Sequence, residues 1–321
     1  MAFETSKFQS LNRGYNRVFR VQQLSIGLVV PIENYAQDPV PQMQQHLERV
    51  QLAEALGFSS VWLRDVPFNV PTFGDAGQTF DPFVYLGYLA GQTEKIALGV
   101  SSIILPLRHP AHVAKAAATA DLLSEGRVIL GVASGDRPDE YPAMNISFDE
   151  RGAKFRESYH YIRKMSVTQP EFSNSYGTLI GGIDMLPKPI AEKLPLLITG
   201  GSQQSSEWLA HNGDGWLLYP RPASMQAQII KSWRSEIHSA GRSNRPAVEP
   251  FYLNLADDPD AAPQPIHLGY RLGINQLRKY LQTRQEIGIN HVALNLRFNQ
   301  TDTVETMKRI AAEILPDFCQ H

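Results

Sequence analysis

The sequence has almost no cysteine. Its single cysteine, Cys319, stands close to the C-terminal end. One cysteine can form neither an internal disulfide bond nor a cysteine-rich metal site, and this scarcity is typical of proteins in a reducing compartment. We therefore expect a cytoplasmic protein.

Long apolar runs and an excess of one charge are also missing. No stretch approaches the ~18 consecutive apolar residues of a membrane span, and residues 1–21 lack the apolar segment of a secretory signal. The 30 Lys and Arg residues are balanced by 32 Asp and Glu residues, without a basic stripe. We therefore expect no membrane span and no nucleic-acid partner.

What the chain does have is a regular alternation of strand and helix patterns. Apolar residues make up 43% of the 321 residues, enough for a large core. Each strand-like apolar run is followed by a helical pattern. The predicted strands are residues 24–30, 59–63, 96–104, 127–133, 194–199, 215–219, 248–255 and 291–296. Eight such units predict a single (β/α)8 barrel over residues 24–321, preceded by an N-terminal arm of residues 1–23.

Two breaks in the rhythm predict insertions. Residues 170–193 contain Gly, Pro and Ser without a helical period, which indicates a loop or hairpin after the fourth strand region. Residues 257–266, after the seventh strand, are rich in Asp and Pro and are predicted to form an exposed loop. A doubly wound sheet is the rival fold, but no glycine-rich fingerprint follows the first strand.

Active-site groups of such barrels come from the carboxyl ends of the strands. These ends are polar here but contain neither His nor Cys. The residues concerned include Arg64, Asp65, Ser101, Ser102, Ser134, Asp136, Arg137, Gly200, Gly201, Ser202, Tyr219, Asn295 and Arg297.

The segment from Gly200 to Trp208 carries the most information. Two glycines end a strand and lead into a helix with serines at its start, an arrangement that suits an anion. The alternative is ordinary capping, with Ser202 as the N-cap. Ser101 and Ser102 are small polar residues inside an apolar strand, so they either leave room for a flat ligand or simply bond to backbone.

Other candidates have plain alternatives too. Asp136 can belong to an ordinary loop, Asp65 can cap a loop, and Arg151 can be a solvated surface residue. His109 and His112 are three residues apart, but no third ligand stands near them in sequence, so no metal is expected.

In order along the chain, several segments resemble one known family. They are the segments from Phe58 to Asp65, from Ile96 to Pro110, from Leu122 to Gly135, from Gly200 to Trp208, and Asp214-Gly215-Trp216. Together they resemble the bacterial-luciferase-like flavin monooxygenases and the related deazaflavin (F420)-dependent oxidoreductases.

The resemblance implies particular site residues. It assigns a cofactor phosphate to Ser134, Asp136, Arg151, Ser202 and Ser205, with Gly200 in the same turn. It places Asp65 and Gly201 beside the isoalloxazine ring, and it implies a non-proline cis peptide bond between Ser101 and Ser102 behind that ring. One departure stands out, because Val66 and Pro67 occupy the place of the luciferase histidine pair, so the catalytic base is unassigned.

The function implied is an FMN-dependent monooxygenase that uses O2, reduced FMN from a separate flavin reductase, and a small organic substrate. F420-dependent hydride transfer, a flavin-binding protein without turnover and a flavin-free barrel hydrolase are the alternatives. A homodimer is also expected, built on the helices after the second and third strands. Those helices carry more apolar surface than one barrel-facing stripe needs, unless the N-terminal arm covers it through Phe8, Leu11, Tyr15 and Phe19.

Overall fold

The structure, a computed structural model, describes residues 7–318. Residues 1–6 of the predicted arm and Cys319 lie outside the described residues. The strands, numbered in chain order, are β1 (Ser25–Val29), β2 (Ser60–Leu63), β3 (Ala97–Ile104), β4 (Val128–Ala133), β5 (Glu171–Asn174), β6 (Gly177–Ile180), β7 (Leu196–Thr199), β8 (Gly215–Leu217), β9 (Ala247–Leu255), β10 (Gln264–Ile266), β11 (Gly269–Leu272) and β12 (His291–Asn295).

A closed ring of parallel strands forms the centre of the molecule. Its order is β1-β2-β3-β4-β7-β8-β9-β12, and β12 pairs back onto β1. The pairing of Trp216 with Ala247 closes the ring between β8 and β9. The (β/α)8 barrel predicted from the strand pattern is confirmed.

The helices surround this ring. They are α1 (Arg13–Val18), α2 (His46–Ala55), α3 (Pro82–Ala90), α4 (Pro110–Leu123), α5 (Glu140–Ala143), α6 (Arg151–Lys164), α7 (Ser206–Asn212), α8 (Ala223–Ser239), α9 (Ile274–Glu286), α10 (Thr303–Glu313) and α11 (Leu315–Phe318). The predicted start of α3 is confirmed, because Asp81 caps it by accepting bonds from the N–H groups of Phe83 and Val84. Within residues 7–318 no helix is both long and apolar enough to cross a bilayer.

Both predicted insertions are present. Strands β5 and β6 form an antiparallel hairpin after α6. The second insertion differs from the exposed loop predicted over residues 257–266, because its last residues form β10. Strand β10 pairs with β11, and β11 runs parallel to the upper part of β9. This insertion therefore extends the barrel wall at the carboxyl end of the strands.

The described part of the N-terminal arm closes the opposite end of the barrel. Tyr15, Val18 and Phe19 of the arm are buried against inward-facing side chains such as Trp62. The Tyr15 hydroxyl donates to the carbonyl of Asp214 at 2.7 Å. The suggestion that Phe8, Leu11, Tyr15 and Phe19 cover the apolar helices after β2 and β3 is therefore wrong, and apolar side chains of α3 and α4 stay exposed.

Candidate active site

Two neighbouring cavities open at the carboxyl end of the barrel strands. The larger has a volume of about 560 Å³ and lies in the barrel mouth, and the smaller, of about 260 Å³, lies beside it near the ends of β3, β4 and β7. Their linings share Arg64, Phe73, Ser101, Ser102, Asp136, Thr199 and Tyr219. The cavities therefore form one composite site where barrel enzymes have their active sites.

Ser101 and Ser102 form part of the boundary between the two cavities. The peptide bond between them is cis, as the sequence resemblance implied. Ser102 is 8% exposed, and its hydroxyl is hydrogen-bonded to that of Thr199 on β7. The small side chains face the site, which leaves room there for a flat ligand.

Asp65 lines the smaller cavity, but both of its oxygens are occupied. Arg108 donates to them from Nε at 2.9 Å and from Nη2 at 2.7 Å, and the Ile104 N–H donates at 3.1 Å. Arg108 therefore pairs with both oxygens of Asp65 in a bidentate, charge-assisted arrangement. Asp65 therefore positions the end of β3 rather than serving as a free base.

Four of the residues assigned to the cofactor phosphate region come together. Ser134, Asp136, Gly200 and Ser202 all line the smaller cavity. The sequence prediction that Ser202 is an N-cap is wrong, because α7 begins later. Ser205 is its N-cap and accepts a bond from the Trp208 N–H, whereas Ser202 lies in the preceding turn and donates to the carbonyl of Thr199.

The remaining candidates, Arg151, Gly201 and Ser205, are not among the residues that line the two cavities. Arg151 begins α6, with its guanidinium 3.8 Å from the centre of the Phe148 ring and Nη1 donating to the Phe148 carbonyl. It lies close to the 200–204 turn, since Gln204 Nε2 donates to the carbonyl of the next residue, Gly152.

Sequence reasoning missed Asp75, which lies in the loop between β2 and α3. Its oxygens accept from Arg64 Nη1 at 2.6 Å and from the Gly77 N–H at 2.8 Å, and they lie 3.3 Å from Arg297 Nη1. Burial alone would raise the pKa of Asp75, but these donors hold it below its ordinary value. Asp75 therefore stays ionised and, through Arg64 and Arg297, connects its loop to the ends of β2 and β12.

The sequence identified only some of the residues around Asp75. It placed Arg64, Arg137 and Arg297 at strand ends but gave none of them a role. In the structure Arg137 Nη2 donates to the Asp75 carbonyl, and its guanidinium lies 4.1 Å from the centre of the Phe73 ring. Nothing in the sequence around Asp75 marks it, because a loop residue has no periodicity.

Aromatic side chains form much of the wall of the larger cavity. Tyr252 lies on β9, and Phe298 follows β12. His267 lies in the turn between β10 and β11 and contacts both rings edge-on, with its ring centre 5.4 Å from that of Tyr252 and 6.4 Å from that of Phe298. The insertion after β9 therefore contributes a histidine that the linear sequence did not place at any strand end.

The family model for the luciferase-like monooxygenases matches residues 24–319 of this chain. The chain belongs to this family. Since this is a family of monooxygenases and related oxidoreductases, the chain is a luciferase-like oxidoreductase.

Similar proteins include users of two cofactors. An F420-dependent glucose-6-phosphate dehydrogenase of Amycolatopsis mediterranei is 31% identical over 170 residues, 51% of this chain and 50% of that protein. The monooxygenase RslO1 from Streptomyces bottropensis superposes with a TM-score of 0.78 at 20% identity, covering 92% of this chain and 99% of that one. The oxygenating constituent of 3,6-diketocamphane monooxygenase from Pseudomonas putida, in complex with FMN, has a TM-score of 0.73 at 14% identity, with coverages of 92% and 99%.

Proposed function

We propose that this luciferase-like chain is an FMN-dependent monooxygenase that acts on a small organic substrate and receives reduced FMN from a separate flavin reductase. The observation that carries the proposal is the composite site, in which Ser101 and Ser102 border both cavities. The larger cavity is within the range of about 300–1,000 Å³ that small-molecule and cofactor sites have.

The residues of the smaller cavity fit a phosphate. Ser134 supplies a hydroxyl group, and Ser202 would supply a second one by releasing the Thr199 carbonyl. A Cβ added at Gly200 would have no heavy-atom neighbour within 4 Å, so the backbone is open to a ligand. Arg137 Nη1 is buried and has no hydrogen-bond partner among the described residues. An anion placed there would satisfy a donor that is costly to leave unpaired.

Bound reduced FMN would supply the electrons for activating O2. The protein would orient the ring on Ser101 and Ser102 and surround it with apolar walls that exclude water. The ion pair between Asp65 and Arg108 would hold the end of β3 in place. Since both oxygens of Asp65 are engaged, proton transfer would fall to another group, and His267 is the histidine that lines the larger cavity.

The second candidate is F420-dependent hydride transfer. It is favoured by the relative from Amycolatopsis mediterranei, an F420-dependent enzyme at 31% identity. The same composite site would then hold a deazaflavin ring, and O2 would take no part in the reaction.

A titration followed by a turnover assay tests these proposals. Cofactor-free protein is titrated with FMN and with F420, and ring absorbance and fluorescence are recorded. We expect saturable FMN binding, followed by O2-dependent substrate oxidation when a flavin reductase and NADH are added. Saturable binding of F420 alone would favour the second candidate, and binding of neither would refute both.

Arg151 should contribute to the phosphate site despite its position outside the cavity lining. Its Nε is buried and has no hydrogen-bond partner among the described residues. A charge-assisted hydrogen bond contributes ~1.5–3 kcal/mol. We therefore predict that Arg151→Ala weakens FMN binding roughly tenfold or more but leaves riboflavin, which lacks the phosphate, nearly unaffected. Equal losses for both ligands in a fluorescence titration would place Arg151 elsewhere.

We also propose a homodimer through α3 and α4. The observation that supports it is the apolar surface left uncovered there: Val84 is 74%, Tyr88 45% and Leu123 61% exposed. A stable two-fold interface should bury at least ~1,000 Å².

Tyr88→Lys should convert this dimer into monomers, because a lysine ammonium would be buried without a partner at the interface. Sizing chromatography with light scattering measures the result. Ile183→Lys is the matched control, since Ile183 is 61% exposed but lies in the insertion after α6. A wild-type protein that is monomeric at micromolar concentration would exclude the dimer.

A further inference from the structure

Arg64, Asp75 and Arg297 line the larger cavity and form what we call its roof. Their partly buried side chains carry two positive charges and one negative charge. Arg64 and Arg297 share one carboxylate, Asp75, and their side chains are 19% and 10% exposed. Asp136 also lines the cavity but is exposed and forms no ion pair with a residue in the described part of the chain. One guanidinium charge at this roof is therefore not neutralised locally.

Asp75 cannot accept hydrogen bonds from all the N–H donors of both arginines. Its carboxylate oxygens already face Arg64, Arg297 and the Gly77 N–H. They also accept from the hydroxyl groups of Tyr35 and Tyr252, each at 3.4 Å. The two guanidinium groups therefore keep donors that Asp75 cannot accept. One of these, Arg297 Nε, is buried and has no hydrogen-bond partner among residues 7–318.

The surplus donors are held rigidly. The Arg297 guanidinium lies 5.0 Å from the centre of the Tyr35 ring and 5.2 Å from that of Phe298, and its Nη2 donates to the Gly74 carbonyl at 2.6 Å. Cation–π contacts on two rings fix the plane of the guanidinium. A fixed, partly desolvated arginine pair is suited to the geometry of a carboxylate, phosphate or sulfonate group.

We propose that the substrate of this enzyme carries an anionic group, which Arg64 and Arg297 bind, and an apolar or aromatic body that lies against the aromatic wall. This inference rests on the proposed function, since it names the substrate class of the same site. Buried charges require a partner, and a substrate anion would provide one.

Binding of simple probes to the cofactor-free full chain tests the proposal. Benzoate, phenylphosphonate and the neutral benzamide share the ring but differ in charge, and calorimetry measures each dissociation constant. We expect the anions to bind at least about tenfold more tightly than benzamide, and Arg297→Gln and Arg64→Gln each to reduce anion affinity to that of benzamide. Arg309→Gln, which alters an ion pair on α10 with Glu313, is the matched control and should change nothing.

A further variant is expected to strengthen anion binding, an effect that misfolding alone could not produce. Asp75→Asn removes the competing carboxylate and should strengthen benzoate binding several-fold, provided circular dichroism shows a folded protein. Equal binding of benzoate and benzamide to the wild type, or unchanged anion affinity in both arginine variants, would overturn the proposal.

The cofactor phosphate is a second possible source of the anion, and a separate arm identifies it. If Arg64→Gln and Arg297→Gln weaken FMN but not riboflavin, the arginines bind the cofactor and the substrate proposal is wrong. If benzoate binds through the arginines while neither FMN nor F420 binds the wild type, the proposed function fails and the anion site stands.

Discussion

Ser102→Leu should abolish cofactor binding while the protein stays folded. Ser102 is 8% exposed and lines both cavities, and its hydroxyl contacts that of Thr199. A leucine side chain would occupy the space in which we propose that the flat ring lies. We expect the affinity for FMN, or for F420 if that is the cofactor, to fall by about 100-fold or more, equivalent to roughly 2.7 kcal/mol.

Ser102→Ala is the matched control, because it removes the hydroxyl group but keeps the space. Its cofactor affinity should stay within a few-fold of the wild type. Thermal unfolding of Ser102→Leu should differ by only a few degrees, because the added carbons enter a cavity rather than a filled core. A Ser102→Leu protein that binds the cofactor normally would show that the ring lies elsewhere.

The second large effect is an acid-dependent loss of stability from His291. This side chain is fully buried inside the barrel, where its Nε2 accepts a bond from Trp62 Nε1 at 2.8 Å. Its Nδ1, which must then carry the proton, lies 2.7 Å from the hydroxyl oxygen of Ser25. Burial lowers the pKa of His291 from 6.5 to about 3, so it stays neutral in the folded protein.

The sign of the effect follows from proton uptake. Below pH 6.5 the unfolded chain protonates this histidine and the folded chain does not, so acid favours unfolding until about pH 3. Each pH unit in that window costs up to about 1.4 kcal/mol, so the contribution lost between pH 6.5 and 5 is about 2 kcal/mol.

Glu249 acts in the opposite direction. It is fully buried on β9, and burial raises its pKa from 4.5 to about 7, even though Arg284 lies 3.3 Å away. Between pH 7 and 4.5 the folded protein therefore holds a proton that the unfolded chain releases, and its contribution to stability rises as the pH falls.

Urea unfolding at several pH values separates the two groups. Relative to the wild type, His291→Gln should lose less stability on acidification, and Glu249→Gln should lose more. His291→Gln should also be less stable at pH 7, because glutamine can offer an acceptor to the Trp62 N–H but does not replace the imidazole ring that is packed inside the barrel. His112→Gln, on the exposed side of α4, is the control. Parallel stability curves for the wild type and His291→Gln would contradict this account.

The barrel could be predicted because each strand and helix carries a local pattern. Strand β4 is a continuous apolar run, and Asp81 and Pro82 mark the start of α3. The same holds for Ser101 and Ser102, since two hydroxyl residues in an apolar strand are visible without a structure. Local patterns of this kind do not require knowledge of distant contacts.

The grouping of charged and aromatic residues around the composite site could not be predicted, because it is assembled from distant loops. Asp75, Arg137, Arg297 and His267 come from four separate connections, and only the closed ring brings them together. The N-terminal arm illustrates the same limit, since its aromatic spacing shows an apolar face but not which surface it covers. For Ser205, the helix start was misjudged by three residues because several serines in that turn can cap a helix.

A crystal structure with bound FMN or F420, whichever binds, tests the central claim most directly. The account predicts the ring against Ser101 and Ser102, and the phosphate in the smaller cavity near Ser134 and Ser202. A ring outside the barrel mouth, or a phosphate bound by Arg64 and Arg297, would contradict it.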